Sequence, residues 1–208
     1  MQVRERVVIL ANGRFPEADL PLGYLDTAEK IICCDGAVDR LVEYGLEPYA
    51  IVGDMDSISQ ELKTNYSDII SGDAEDQDTN DLTKAVRYCI SEGIENVVIL
   101  GATGLREDHT LGNISLLLEY ADFLNVKLVS DYGVFLCLRS ATEISSFPGQ
   151  QVSIFSNKPE SRISSTNLKY PLDNNLLDNW WMGTLNECTS HYFSLTFDSE
   201  FILVFMEF

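Results

Sequence analysis

In the N-terminal part of the chain, continuous apolar runs alternate with periodic segments. The runs RVVILA (6–11), KIICCD (30–35), YAIVGD (49–54), NVVILG (96–101) and VKLVSD (126–131) lack the in–out alternation of a half-solvated strand. They read as strands buried on both faces. Between them, Val38, Leu41 and Val42 share one helical face, with Asp35 as the expected N-cap and Gly45 as the stop. Leu82, Val86, Cys89 and Ile90 mark a second helical stripe, starting at Asp81 and ending near Gly93. DHTLGNISLLLEYA (108–121) reads as a largely buried helix. Strands and helices alternating at this spacing predict βαβ units and a parallel sheet.

Beyond residue 133 the pattern changes. GVFLCLR (133–139), QQVSIFS (150–156), HYFSLTF (191–197) and FILVFMEF (201–208) read as strands, joined by links rich in Ser, Asn, Thr and Pro. No amphipathic helix follows, and SNKPESRISSTN (156–167) is polar enough to read as a loop. The expected architecture is an α/β domain over residues 1–132, followed by an all-β sandwich domain over residues 133–208.

Composition narrows the function. The 208 residues carry a formal net charge of -19 and a pI near 4.2. Such a surface repels phosphate backbones and anionic lipid heads, which argues against nucleic acid and membranes as partners. The five cysteines are odd in number and contain no CxxC pair, so reduced thiols fit better than zinc sites or a disulfide framework. The apolar run Val7–Ala11 is too short for a signal or a membrane span. The expectation is a soluble, cytoplasmic protein.

The ends of the predicted strands carry the chemistry. They are followed by Asn12-Gly13, Asp35-Gly36, Asp54-Met55-Asp56-Ser57 and GATGLREDH (101–109). In open parallel sheets, ligands bind outside the carboxyl ends of the strands. Asp54 and Asp56 are two residues apart, which in extended chain points both carboxylates one way. Asp81 opens a helix near the positive end of its dipole, and Lys84 lies one turn further on. Asp54, Asp56 and Asp81 could supply a partial oxygen shell for Mg²⁺, leaving room for a polyphosphate, whose other oxygens Lys84 and Arg106 would neutralise. Gly101 and Gly104 permit close backbone approach to a phosphate, and His109, Gly112 and Asn113 form a polar stripe on an otherwise apolar helix. Two other functions use the same rim: a metal-dependent phosphohydrolase with water as nucleophile, and a non-catalytic nucleotide sensor.

Seven segments together resemble the thiamine pyrophosphokinase family. They are NGRFP (12–16), CDGAVDRL (34–41), GDMDS (53–57), DQDTNDLTKA (76–85), GATGLREDHTLGN (101–113), LKYPLDN (168–174) and GTLNE (183–187). They occur in the family's order and span nearly the whole chain. The resemblance implies Mg²⁺-dependent transfer of pyrophosphate from ATP to the hydroxyethyl group of thiamine, giving thiamine diphosphate and AMP. It also implies an ATP-binding α/β domain, a C-terminal β-sandwich and a homodimer with active sites at the subunit interface.

Carried over by motif, Asp54, Asp56 and Asp81 are the implied metal ligands, acting with Lys84 and Arg106. Asn12, Asp35, Gly36, Ser57, Gln77, Asp78, Arg106, Asp108 and Asn113 fall at the nucleotide. Ser164, Tyr170 and Asn186 fall at thiamine, with Tyr170 set against its rings. Attack by the thiamine alcohol also needs a proton acceptor, for which a carboxylate, Asp56 or Asp78, is the expected group. Thiamine's cationic thiazolium suits both an acidic site and a flanking aromatic, and the Tyr170 loop argues for a second organic substrate, against the hydrolase and the sensor. Three positions depart from the common family pattern: Leu185 where serine is common, Asn80 where threonine is common, and Leu105 where a second glycine is common.

Overall fold

The computed structural model describes residues 6–71 and 79–208. The chain divides after Asp131 into two compact units.

The first unit is built on six parallel strands: β1 (Val7–Leu10), β2 (Lys30–Cys34), β3 (Ala50–Val52), β4 (Ile70–Ser71), β5 (Asn96–Leu100) and β6 (Asn125–Val129). Their spatial order is β6-β5-β1-β2-β3-β4. The chain winds outward from β1 to β4, then crosses to the other side of β1 for β5 and β6. The order therefore reverses between β1 and β5, and a crevice opens at such a reversal. The strand cores are buried on both faces: Val8, Ile9, Ile32, Cys33, Ile51, Ile99 and Leu100 are wholly inaccessible to solvent. That burial explains their uninterrupted apolar runs.

Among the described residues, the helices that connect these strands are α1 (Asp19–Asp26), α2 (Ala37–Tyr44), α3 (Gln60–Asn65), α4 (Asp81–Ser91) and α5 (Glu107–Tyr120). Helix α4 buries Leu82, Ala85, Val86 and Cys89, one face at helical spacing, while Ile90 turns outward. Helices α1 and α3 leave little periodic signal. Pro21 sits in the first turn of α1, where its missing N–H is tolerated, and α3 buries no residue. Ala18 cannot cap α1 with its side chain; Asp131, just past β6, accepts from the N–H groups of Glu17 and Ala18 instead.

Two expectations are corrected here. Asp35 is not the N-cap of α2. Gly36 occupies that position, and Asp35 adopts a left-handed φ of 41° while its carboxylate accepts from the Ser57 N–H. Helix α5 is not largely buried: only Leu117 and Tyr120 are, and Leu111 is 58% exposed. Its apolar composition does not follow a single inward stripe.

The second unit is a β-sandwich. Its strands are β7 (Gly133–Leu138), β8 (Thr142–Ser145), β9 (Gln151–Phe155), β10 (Arg162–Thr166), β11 (Asn175–Leu176), β12 (Asn186–Glu187), β13 (Tyr192–Phe197) and β14 (Ile202–Glu207). One antiparallel sheet runs β12-β9-β14-β7 and the other β11-β10-β13-β8. Ile154 and Val204 from the first and Ile163, Phe193 and Leu195 from the second meet in one core. Strand β10 falls inside the segment read as a loop. Its single buried apolar residue, Ile163, lies between Arg162 and Ser164, so polar composition masks a strand paired on both sides.

Candidate active site

The loops that follow β1, β2, β3 and β5, with the starts of α4 and α5, surround a cleft of about 670 Å³. That volume is in the range of small-ligand sites. The β1 and β5 loops are pressed together at the strand-order reversal. Gly13 N–H donates to Gly101 C=O at 2.7 Å and Arg14 N–H to Thr103 C=O at 2.9 Å. A Cβ at Gly13 would lie 2.2 Å from the Gly101 carbonyl oxygen, so only glycine fits.

The cleft floor is acidic. One ligand oxygen from each of Asp35, Asp54 and Asp56 lies within 4.8 Å of the others. Asp54 and Asp56 meet by a route the sequence did not suggest. Met55 takes a left-handed φ of 67°, so the segment is a turn and not extended chain. Asp54 accepts from the Asp56 N–H at 3.2 Å, and Ser57 Oγ donates to Asp56 at 2.9 Å. Asp35 is 3% exposed. Its Oδ2 accepts from the Ser57 N–H at 3.2 Å, while Oδ1 is buried with no hydrogen-bond partner among the described residues. Burial raises the Asp35 pKa above the ordinary carboxylate value; hydrogen bonds from Ser57 oppose that shift, and the charges of Asp54 and Asp56 add to it.

Asp81 stands behind this trio. A Cβ on Gly53 would meet the Asp35 Cβ at 2.9 Å and Asp81 Oδ1 at 3.2 Å, so Gly53 is the spacer over which the two acids approach. Burial raises the Asp81 pKa too, and Lys84 pulls it down. The Lys84 Nζ is 3.7 Å from Asp81 Oδ1, with only 10% of its side chain exposed. Asn80 accepts from the Thr83 N–H at 2.8 Å and caps α4. Asparagine caps as well as the threonine common in the family, so this departure leaves the helix start intact.

The opposite wall comes from α5. Arg106, His109, Thr110 and Asn113 all line the cleft. Their spacing of i, i+3, i+4 and i+7 is one helical face. The polar stripe expected from His109, Gly112 and Asn113 therefore keeps its two ends but has Thr110 in place of Gly112. Gly112 is not among the lining residues; Thr110 is. Arg106 donates to Asp108 through Nε at 3.1 Å and Nη2 at 2.5 Å. That guanidinium holds the Asp108 carboxyl down at about 2. Asn113 donates to the Ala102 carbonyl at 2.8 Å and so fixes the β5 loop.

Of the residues expected at the nucleotide and metal, Asn12, Asp35, Asp54, Asp56, Ser57, Asp81, Lys84, Arg106 and Asn113 line this cleft. Gly36 lies beneath it, packed against Asn12 and Ser57. Asp108 reaches it only through Arg106. Gln77 and Asp78 lie outside the described residues. Sequence reasoning missed Thr103 and Thr110, and gave Asp35 to the nucleotide alone, not to the carboxylate cluster. The signal for Thr110 was helical spacing from Arg106. Asp35 carried no such signal, because only the fold brings β2 beside β3.

The residues expected at thiamine stand in the second unit. Tyr170 is 62% exposed, and Asn186, at 7%, hydrogen-bonds both its N–H and its C=O. Ser164 Oγ accepts from the Asn174 N–H at 2.9 Å. Leu185 takes a left-handed φ of 58° and is 75% exposed.

The oxygen donors suit a hard divalent cation. Carboxylates from separate loops, one with a buried and unpartnered oxygen, are what Mg²⁺ takes when waters and phosphates complete its shell. An open α/β sheet carrying such a cluster beyond β2 and β3, in a cleft that two cations also line, and followed by a β-sandwich has the parts of a nucleotide-dependent transferase of kinase type. The model of the thiamin pyrophosphokinase catalytic domain matches residues 22–129, and that of the thiamin pyrophosphokinase substrate-binding domain matches residues 133–205. Thiamine pyrophosphokinase 1 of Oryza sativa subsp. japonica is 30% identical over 225 residues, covering 94% of this chain and 84% of the relative. Thiamin pyrophosphokinase 1 of Caenorhabditis elegans is 27% identical, over 82% of this chain and 76% of the relative. Thiamine pyrophosphokinase from Bacillus subtilis superposes with a TM-score of 0.80 over 97% of this chain and 98% of its own, at 21% identity. That from Candida albicans gives 0.79 over 99% and 90%, at 22% identity. At those identities the structural likeness is one of fold. The chain belongs to the thiamine pyrophosphokinase family.

Among the described residues no helix is long and apolar enough to cross a membrane. The five cysteines form no disulfide.

Proposed function

We propose that this chain transfers the pyrophosphoryl group of ATP to the hydroxyethyl oxygen of thiamine, releasing AMP, and that it works as a cytoplasmic homodimer with Mg²⁺. The observation that carries the reading is the carboxylate cluster of Asp35, Asp54 and Asp56, with its unpartnered Oδ1, on the floor of a cleft that Lys84 and Arg106 also line. These three acids, with Asp81 behind them, would hold the metal, which when bound draws charge from the phosphate oxygens.

The remaining chemistry is alignment and charge neutralisation. Lys84, held against Asp81 in a poorly solvated position, offers its ammonium to a phosphate oxygen. Arg106, tethered by Asp108, offers its guanidinium from the opposite wall. Asn12 and Ser57 supply polar groups at the strand ends, and Asn113 keeps the β5 loop in place. The thiamine oxygen forms its bond to the β-phosphorus as the bridge to the α-phosphate breaks. The hydroxyl proton passes to a carboxylate of the cluster, for which Asp56, exposed and in the cleft, is placed. No phenylalanine, tyrosine or tryptophan is among the described residues lining the cleft. The aromatic for a thiazolium is therefore assigned to Tyr170, and its delivery from a second copy of the chain is what the homodimer supplies.

Incubation with ATP, Mg²⁺ and thiamine, followed by mass detection, tests the reaction. Thiamine diphosphate and AMP in equal amounts are expected. Phosphate or pyrophosphate released without thiamine diphosphate would replace this reading with a hydrolase, and nucleotide binding without AMP would replace it with a sensor.

A further inference from the structure

Strand β12 of the second unit holds an asparagine whose side-chain amide makes two hydrogen bonds to one neighbour. Asn186 is 7% exposed. Its Oδ1 accepts from the Tyr170 N–H at 3.1 Å and from the Glu187 N–H at 2.9 Å, and its Nδ2 donates to the Tyr170 C=O at 2.7 Å. The side chain thus reads both polar groups of a single backbone residue, as a paired strand would.

The segments on either side are zipped together. Lys169 N–H donates to Glu187 C=O at 2.8 Å, Thr189 N–H donates to Asn167 C=O at 2.9 Å, and Leu168 bridges Cys188. Leu168 and Cys188 belong to the sandwich core, so this pairing is anchored from below. It stops at Lys169, and the Asn186 carboxamide extends it by one residue to Tyr170. Pro171 follows, which confines the tyrosine backbone further and offers no N–H. The Tyr170 ring is 62% exposed and so gains little from packing. The Lys169 ammonium lies 5.9 Å from the ring centroid, and the tyrosine backbone that carries the ring is held by Asn186. Leu185 turns through a left-handed φ of 58°, pointing its own side chain outward while Asn186 points in.

We propose that Asn186 is a positioning residue: it acts on the organic substrate only through Tyr170, and does not touch it. This rests on the function proposed above. Asparagine is the fitting residue because one planar group supplies a donor and an acceptor together. Aspartate keeps the two accepted bonds but sets a carboxylate against the Tyr170 carbonyl.

The test is a double-mutant cycle on the steady-state kinetics of the full chain, with Asn186→Ala, Tyr170→Ala and their combination. Asn186→Ala is expected to raise the thiamine KM by roughly five- to twentyfold, as loss of two or so hydrogen bonds implies, with the ATP KM unmoved. General weakening of the fold would instead lower the active fraction, and hence kcat, without moving either KM. In the Tyr170→Ala background, Asn186→Ala is expected to add nothing to the thiamine KM. An equal rise in both backgrounds would make Asn186 a direct substrate contact and overturn the proposal. Asn186→Asp, which preserves the buried volume, takes the place of the alanine variant in the same cycle if that one does not fold. Wild-type protein that makes no thiamine diphosphate overturns the function itself, and with it any substrate role for Tyr170; non-interaction in the cycle fails the positioning role alone.

Discussion

Asp35 shows what a functional carboxylate costs the fold that carries it. It is buried, sits beside two other acids, and keeps one oxygen without a hydrogen bond among the described residues. A carboxyl whose pKa is raised on folding binds its proton more tightly in the folded state, so ionised Asp35 destabilises the metal-free protein. Asp35→Asn retains the acceptor for the Ser57 N–H and tolerates the left-handed φ. In metal-free protein at neutral pH it is expected to raise the melting temperature, and with Mg²⁺ and substrates present it is expected to lower turnover at least a hundredfold, an order set by loss of a charged group from the site. The sign follows from linkage. As pH falls through the raised Asp35 value, the wild-type carboxyl takes up its proton, and the melting-temperature gap to Asp35→Asn closes. A gap that widens on acidification would contradict the raised pKa. Asp108, at about 2, behaves in the opposite way and keeps its charge on Arg106 through mild acid.

At the scale of elements, the site depends on where strands end and helices begin. The β1 and β5 loops approach so closely at Gly13 that a methyl group has no room against the Gly101 carbonyl. Gly13→Ala is expected to push these loops apart and to raise the ATP KM at least tenfold, more than a surface substitution would, with the far-UV circular dichroism spectrum retained. A wild-type KM would show that the cleft does not need this contact. The start of α4 depends on Asn80. Asn80→Ala removes the cap and is expected to lower stability by about 1 kcal/mol in urea unfolding, whereas Asn80→Thr stays close to wild type. Because Asp81 and Lys84 ride on that first turn, the alanine variant should also weaken Mg²⁺-dependent activity, separating cap from ligand when compared with the threonine variant.

The whole molecule is defined by its charge. A net charge of -19 on 208 residues is self-repulsive in the compact state. Raising ionic strength from about 0.01 M to about 0.15 M shortens the screening length from about 30 Å to about 8 Å. Thermal stability is therefore expected to rise with sodium chloride over that range, in a scan at constant pH and without divalent ions. Mg²⁺ at millimolar concentration should add a further increment in wild-type protein that Asp54→Asn loses, since the ion stabilises only the state that binds it. Equal stabilisation of both proteins by Mg²⁺ would reduce the ion's effect to screening. The acidic surface that disfavours nucleic acid also presents negative potential to a cationic substrate.

The sequence by itself determined five of the six strands of the parallel sheet, all but the two-residue β4, together with the amphipathic faces of α2 and α4 and the strand ends where chemistry collects. Each of these depends on local pattern: continuous apolar runs, helical spacing, and glycines and acids at element ends. It also supplied nine cleft-lining residues, because motif order survives when overall identity is low. The tertiary structure alone decided the rest. It buried only Leu117 and Tyr120 of α5 and left Leu111 exposed, since composition records hydrophobicity and not what lies opposite. It made a strand of Arg162–Thr166, whose serines are paired across strands contributed by distant segments. It drew Asp35 into the carboxylate cluster, because β2 lies beside β3 only in the folded sheet, and it bent Asp54 and Asp56 together through the left-handed turn at Met55. Apart from the local turn at Met55, those outcomes are set by contacts between residues far apart along the chain, which local spacing does not encode.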